Sequence, residues 1–292
     1  MHSADVAINE RRALVMALAA VALWSTVATG FKLGLRHLEP LQLLWLGSLV
    51  SLVFFAVLRV FVAVPSVARH EYLAAAALGV INPFCYYVIL FEAYDRLPAQ
   101  IAQPLNYTWA IALAILAVPI LKQRLSKRMF AGIAVSYLGV VVLVTQGKLT
   151  DYGVFDPLGV ALALASTILW ATYWLATVRL TLHPVALMLT GFATGTPLVA
   201  AACHWTVGLP ALNATNVSFG LWVGLVEMGV AFLLWQRALT STNQAARIGQ
   251  LIFLSPFISL VLISTVLGES IHVSAVAGLA LIVSGLVLRG RA

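Results

Sequence analysis

A single carboxylate stands deep inside a long apolar run of this chain. Glu227 lies within Leu221 to Trp235, with no Lys or Arg within a helical turn of it. An ionisable group in hydrocarbon is costly, and it usually faces a cavity or a partner. There it acts as an acceptor for an amine or as a group that exchanges a proton. The alternative is a protonated Glu hydrogen-bonded between helices, with no substrate role. A second polar set is Gln100, Gln103, Asn106 and Tyr107, of which positions 100, 103 and 107 follow an i, i+3, i+7 pattern and share a helical face. A later segment offers Gln244, Arg247 and Gln250. Amides supply both donors and acceptors, which suits a zwitterionic head group, or they hold a helical bundle together.

Aromatic residues form the third set. Trp24, Trp170, Tyr86, Tyr87, Tyr107, Trp174 and Trp235 all fall in apolar segments. Lining one space, they would offer planar faces to apolar side chains and cation–π contact to an ammonium group. An interfacial belt or ordinary packing is the alternative, and it is the preferred account of Trp45, Trp205 and Trp222. Glu92 stands four residues before Arg96 and reads as an i,i+4 ion pair. The chain has no zinc-type His-Glu-x-x-His pattern, no phosphate-cradling glycine loop and no pair of membrane-embedded carboxylates at catalytic spacing. No ring of like groups or carbonyl-loop filter, as a channel would need, is evident. Cys85 and Cys203 sit in separate apolar segments and read as small hydrophobes. Neither enzyme chemistry, a cofactor nor a metal site is expected.

These side chains must be positioned by helices in a membrane. The chain has 292 residues, 62% hydrophobic and 9% charged. Apolar runs of about 18 residues or more, long enough to cross hydrocarbon, recur along it. In lipid the backbone must satisfy its own hydrogen bonds, so the expectation is an all-α integral membrane protein. Ten transmembrane helices are predicted, at about 13–33, 41–63, 72–94, 99–121, 129–146, 157–178, 184–205, 218–236, 245–267 and 273–289. Prolines 83, 104, 119, 197 and 256 fall inside them, where each kinks a helix, either to let it swing or to shape it statically. Gly191 and Gly195 form a small-xxx-small pair suited to helix packing. The polar start, residues 1–12, lacks the pattern of a cleaved signal and reads as a short tail. The net charge of +7 sits in short loop clusters. That distribution excludes a nucleic-acid partner and marks a lipid bilayer as the surroundings. With an inside N-terminus and alternating helices, 13 of the 17 Lys and Arg fall on the cytoplasmic side, so both termini are placed there.

The chain also repeats itself. A shift of 146 lays Ala17-Leu18-Ala19 on Ala163-Leu164-Ala165, Leu23-Trp24 on Leu169-Trp170, Ala131-Gly132 on Ala277-Gly278 and Gly139 on Gly285. A shift of 145 lays Gly79 on Gly224 and Asn82 on Glu227. The halves are residues 13–150 and 151–292, each of five helices. Five is odd, so the second half enters from the opposite face. The charges agree: Lys122 to Arg128 carries four cations, while its counterpart Gly268 to His272 carries no Lys or Arg. Inverted repeats are a common transporter architecture, with the site near the midplane between halves. Glu227 and Asn82 would then flank one site.

On the stretches Pro98-Ala99 through Pro119 to Ala131-Gly132 and Gly139, and Ala245 through Pro256 and Glu269 to Gly278 and Gly285, each half resembles an EamA-type five-helix repeat of the drug/metabolite transporter superfamily. Within it the chain looks most like YddG-type exporters of aromatic amino acids. The resemblance implies amino-acid export, aromatic and other neutral ones, by alternating access through a central cavity in the bacterial inner membrane, with no oligomer required. The substrate-binding set so expected is Glu227, Asn82, Gln103, Tyr107, Trp24, Trp170, Tyr86, Gln100, Gln250 and Trp174. Efflux of small organic cations by the same fold is the alternative. Glu269 fits the acidic residue the family often carries after its fourth helix, whereas the first half has Arg124 there.

Overall fold

The computed structural model describes residues 9–121, 127–145, 156–177, 179–243 and 248–290. Among them every regular element is helical, and the helices fall into ten rods: α1 (Glu10–Gly34), α2 (Pro40–Phe61), α3 (Arg69–Arg96), α4 in two pieces (Ala99–Tyr107 and Trp109–Leu121), α5 (Lys127–Thr145), α6 (Pro157–Thr177), α7 (Pro184–Thr206), α8 (Ala214–Leu239), α9 (Leu251–Leu267) and α10 (Val273–Gly290). Six of them, α1, α2, α3, α6, α7 and α8, are long and apolar enough to cross a membrane by length and composition. Shorter apolar helices accompany them in α5, α9 and α10. Bulky apolar side chains point outward in a way no aqueous surface favours: Phe61 is 79% exposed, Phe130 69% and Val273 84%.

Local chemistry sets where the rods begin. Pro40 opens α2, where its missing N–H costs nothing, and the Glu39 N–H donates to Gln42 Oε1 at 3.2 Å. α8 starts at Ala214, earlier than the predicted 218, because the Asn213 side chain accepts from Asn216 N–H at 2.8 Å. His183 caps α7 in the same way through Val185 N–H, at 3.2 Å. The predicted start of the ninth helix, 245–247, lies outside the described residues.

Packing follows the internal repeat. Matching α1–α5 to α6–α10 in order, exchange of the halves turns the α1·α8 contact into α6·α3, and both are formed. The α2·α7 and α5·α10 contacts each map onto themselves, and both are extensive. The symmetry extends to single residues. Gly79 is pressed so closely to α7 that a Cβ on it would lie 2.5 Å from the Gly191 carbonyl oxygen. Its repeat mate Gly224 meets α2 likewise, with 2.6 Å to the Gly47 carbonyl oxygen. Gly139 meets Gly278 and Gly285 meets Gly132, again exchanged by the repeat. Small residues at such contacts let backbones approach in a bundle that gains little hydrophobic drive from lipid. Gly191 and Gly195 take part here, against Gly79 and Pro83.

Two rods are interrupted at matching places. In α3 the helix widens over Val80–Cys85, and Asn82 takes an extended backbone (φ −138°, ψ 116°) before Pro83. In α8 it widens over Trp222–Val230, around Glu227. Wide turns inside helices recur at functional sites, because they free backbone groups and re-aim side chains. The two polar repeat mates thus occupy the two breaks.

Candidate functional site

Between the halves lies a cavity of about 750 Å³. Each broken helix brings its polar residue to it, Asn82 from α3 and Glu227 from α8. Trp24 enters from α1, Tyr86 and Tyr87 from α3, Gln103, Asn106 and Tyr107 from α4, Trp170 and Trp174 from α6, and Phe232 and Trp235 from α8. The aromatic walls are mutually supported. Trp170 stacks on Tyr86 (centroids 4.5 Å) and meets Trp174 edge-on (5.8 Å). Trp174 stacks on Phe232 at 5.6 Å, and Trp24 meets Trp235 edge-on at 5.5 Å. Rings held by neighbours lose little further freedom when a ligand arrives.

Hydrogen bonding in this space is incomplete. The Tyr87 hydroxyl donates to Glu227 Oε1 at 3.1 Å, and Trp24 Nε1 donates to the Glu227 carbonyl at 3.5 Å. Asn106 Nδ2 donates to Ser166 Oγ at 3.2 Å and to the Tyr86 hydroxyl at 3.4 Å. Glu227 Oε2, Asn82 Oδ1, Gln103 Oε1 and Trp174 Nε1 are buried with no partner. Buried polar atoms are normally paired, so three acceptors and a donor left open around one cavity are the features a polar ligand head would satisfy. Among the described residues lining the cavity there is no Lys, Arg or His, and Glu227 is the sole carboxylate.

One end of the cavity is sealed. Phe31, Tyr94, Leu97, Ala99 and Ile101 there are buried. The turn between α3 and α4 is gripped from both sides. Lys32 Nζ donates to the Tyr94 and Leu97 carbonyls at 2.7 and 3.1 Å, at the C-terminus of α3. The Glu269 carboxylate accepts from Ala99 N–H at 3.1 Å and Gln100 N–H at 3.4 Å, at the N-terminus of α4. Each charge has the sign its helix end favours. Arg96 joins Glu92 at 2.7 Å and Asp156 at 3.0 Å, and the Asp156 carboxyl is held below the usual carboxylate range by that guanidinium. At the other end of the cavity Leu113, Leu239, Gly249 and Ile252 are only half-buried. Two ties cross that end beside the mouth, Asn9 N–H to the Ser241 carbonyl at 3.0 Å and Thr242 Oγ1 to Glu10 Oε2 at 2.6 Å.

Eight of the ten expected residues meet at this cavity: Glu227, Asn82, Gln103, Tyr107, Trp24, Trp170, Tyr86 and Trp174. Gln100 does not line it. It shares a helical face with Gln103, but it lies in the first turn of α4, where its side chain donates to the Ser270 carbonyl at 3.0 Å and accepts from His272 N–H at 3.1 Å. It belongs to the seal. The side chain of Gln250, and Gln244 and Arg247 entirely, lie outside the described residues. Trp45, Trp205 and Trp222 stay off the cavity. Tyr94 and Trp109, outside the expected set, line it as well. Tyr94 follows Tyr87 and Leu90 at helical spacing, a signal present in the sequence; Trp109 sits past the break in α4 and carried none.

Long apolar helices around a dead-ended aromatic cavity define a multi-pass membrane protein of the transporter class. The model of the EamA-like transporter family matches residues 11–145 and again residues 157–290, and the chain belongs to that family, with two repeats. It is 27% identical over 284 residues to a Salmonella typhimurium protein described as a probable amino-acid metabolite efflux pump, covering 93% of this chain and 92% of that one. It is 24% identical over 299 residues to the uncharacterized transporter YvbV of Bacillus subtilis, covering 95% and 91%. A crystal structure aligns over 95% of this chain and 97% of the other with a TM-score of 0.66 at 20% identity, which speaks for the fold alone.

Proposed function

We propose that this transporter exports small amine-bearing metabolites, amino acids with large neutral side chains among them, across the bacterial inner membrane. The ten rods span the bilayer as two inverted five-helix halves, residues 13–150 and 151–292, with both termini cytoplasmic, and one copy suffices. Export proceeds by alternating exposure of the cavity between the halves. The observation that carries this reading is the cavity itself: aromatic walls enclosing the open polar atoms of Glu227, Asn82, Gln103 and Trp174. Its volume of about 750 Å³ falls inside the roughly 300–1,000 Å³ range of small-molecule sites. The half-buried end lies beside the N-terminal tie at Asn9, and with a cytoplasmic N-terminus it is the end from which an exporter would load. The likeness to the Salmonella protein supports amino-acid metabolites as cargo.

Counterflow in proteoliposomes tests it. Vesicles preloaded with unlabelled phenylalanine should accumulate labelled phenylalanine and tyrosine, with loose selectivity, because apolar walls discriminate by only about 1–3 kcal/mol per methylene. A second reading, efflux of small organic cations, is favoured by the lone carboxylate among the described lining residues. Counterflow of a cationic dye with none of phenylalanine would select it.

A further inference from the structure

Glu227 presents two unlike oxygens. Oε1 is engaged by the Tyr87 hydroxyl, while Oε2 is buried with no partner. Oε2 is therefore the atom whose role inverts with protonation: it accepts when the group is ionised and donates when it is protonated. The described groups around this carboxylate include no cation. They are the hydroxyls of Tyr86, Tyr87 and Tyr94 on α3 and of Tyr107 on α4. From α1 comes Trp24 Nε1, and α2 packs behind with Ser51 bonded to the Gly224 carbonyl at 3.0 Å. Nearby, Asn82 Oδ1 and Gln103 Oε1 are open acceptors and Trp174 Nε1 is an open donor.

We propose that Glu227 sorts substrates by net charge, binding the carboxylate of a zwitterionic amino acid when protonated and the ammonium group of a carboxylate-free amine when ionised. This rests on the metabolite-efflux reading above. The reason is charge neutrality in a space with no described cation. An ammonium ion beside ionised Glu227 leaves the cavity neutral. A zwitterion beside ionised Glu227 leaves one uncompensated negative charge in a poorly polarisable setting, which is strongly disfavoured. With Glu227 protonated the zwitterion is the neutral guest. Its carboxylate accepts from Glu227 Oε2–H and Trp174 Nε1–H, and its ammonium group meets Asn82 Oδ1, Gln103 Oε1 and the ring faces. The proton balances in each case. A zwitterion binding to ionised Glu227 takes one proton from solution, and an amine binding to protonated Glu227 releases one.

The two guests then depend on pH with opposite sign. Titration calorimetry of the purified wild-type protein in detergent, with phenylalanine and with phenethylamine, reads this directly. Phenethylamine stays cationic between about pH 6 and about pH 8, as an alkyl ammonium does. Across that interval phenylalanine should weaken and phenethylamine tighten, moving the ratio of their dissociation constants at least tenfold, or about 1.4 kcal/mol. Glu227→Gln should flatten both profiles and weaken phenethylamine about tenfold or more. Constants that move together, or opposite slopes that survive in Glu227→Gln, overturn the proposal while leaving the efflux reading standing. Binding of neither compound at any pH overturns both.

Discussion

At the residue scale the cavity wall makes separable predictions. Trp170 touches Tyr86, Tyr173 and Trp174 with centroids 4.5, 5.6 and 5.8 Å apart, so it is the hub of the aromatic wall. Trp170→Ala should weaken phenylalanine binding about tenfold, roughly 1.4 kcal/mol, by calorimetry. Trp205 is 80% exposed and off the cavity, so Trp205→Ala should leave that constant unchanged. Tyr87 is the donor that Glu227 Oε1 possesses. Tyr87→Phe takes it away and should lower stability by about 1–3 kcal/mol, seen as a fall in melting temperature in detergent.

At the scale of elements two contacts decide most. The seal over the α3–α4 turn depends on Glu269 reaching across from the second half. Glu269→Ala leaves the first amides of α4 without their acceptor, at a cost of about 1 kcal/mol, or roughly fivefold in the population that opens there. A cysteine placed at Ile101, which is 1% exposed, should label correspondingly faster with a maleimide in that background. The α5·α10 pair is held by backbone approach at Gly139 and Gly278. A Cβ on Gly139 would lie 2.5 Å from a carbonyl oxygen, which no flexible side chain can yield to. Gly139→Val should cost about 1–3 kcal/mol and reduce folded yield, measured by size-exclusion recovery.

At the scale of the whole molecule the charges partition between the two ends. His183 is held below its usual pKa by burial, with Arg237 and Arg59 near it at one end. Lys32, Asp95, Glu269 and Arg36 gather at the other. The proposed inverted pair of odd-numbered repeats puts equivalent loops of the two halves on opposite faces. Single cysteines at Ser126 and Ser270, with Cys85 and Cys203 replaced, should label from opposite faces of sealed vesicles with an impermeant reagent. Labelling from one face would remove the inverted arrangement from the proposed mechanism and leave the two-repeat family membership intact.

The helical, apolar character of the chain, its twofold repeat and the carboxylate inside the Leu221 to Trp235 run were legible in the order of residues, because hydropathy, self-similarity and charge placement are properties of the chain itself. So was the pairing of Asn82 with Glu227, which needs only an offset. Gln100 shows where that reasoning stops. Helical periodicity assigns a face to a residue but not a depth, and one turn of α4 separates the cavity at Gln103 from the seal at Gln100. The wide turns at Val80–Cys85 and Trp222–Val230 were equally hidden apart from Pro83, since α8 breaks around Glu227 with no proline in that stretch. Which polar atoms stay open, and which end of the cavity is closed, depend on partners far away in sequence such as Glu269 and Lys32. Only the packed bundle sets those distances and angles, and they decide whether a buried polar atom is satisfied or left open.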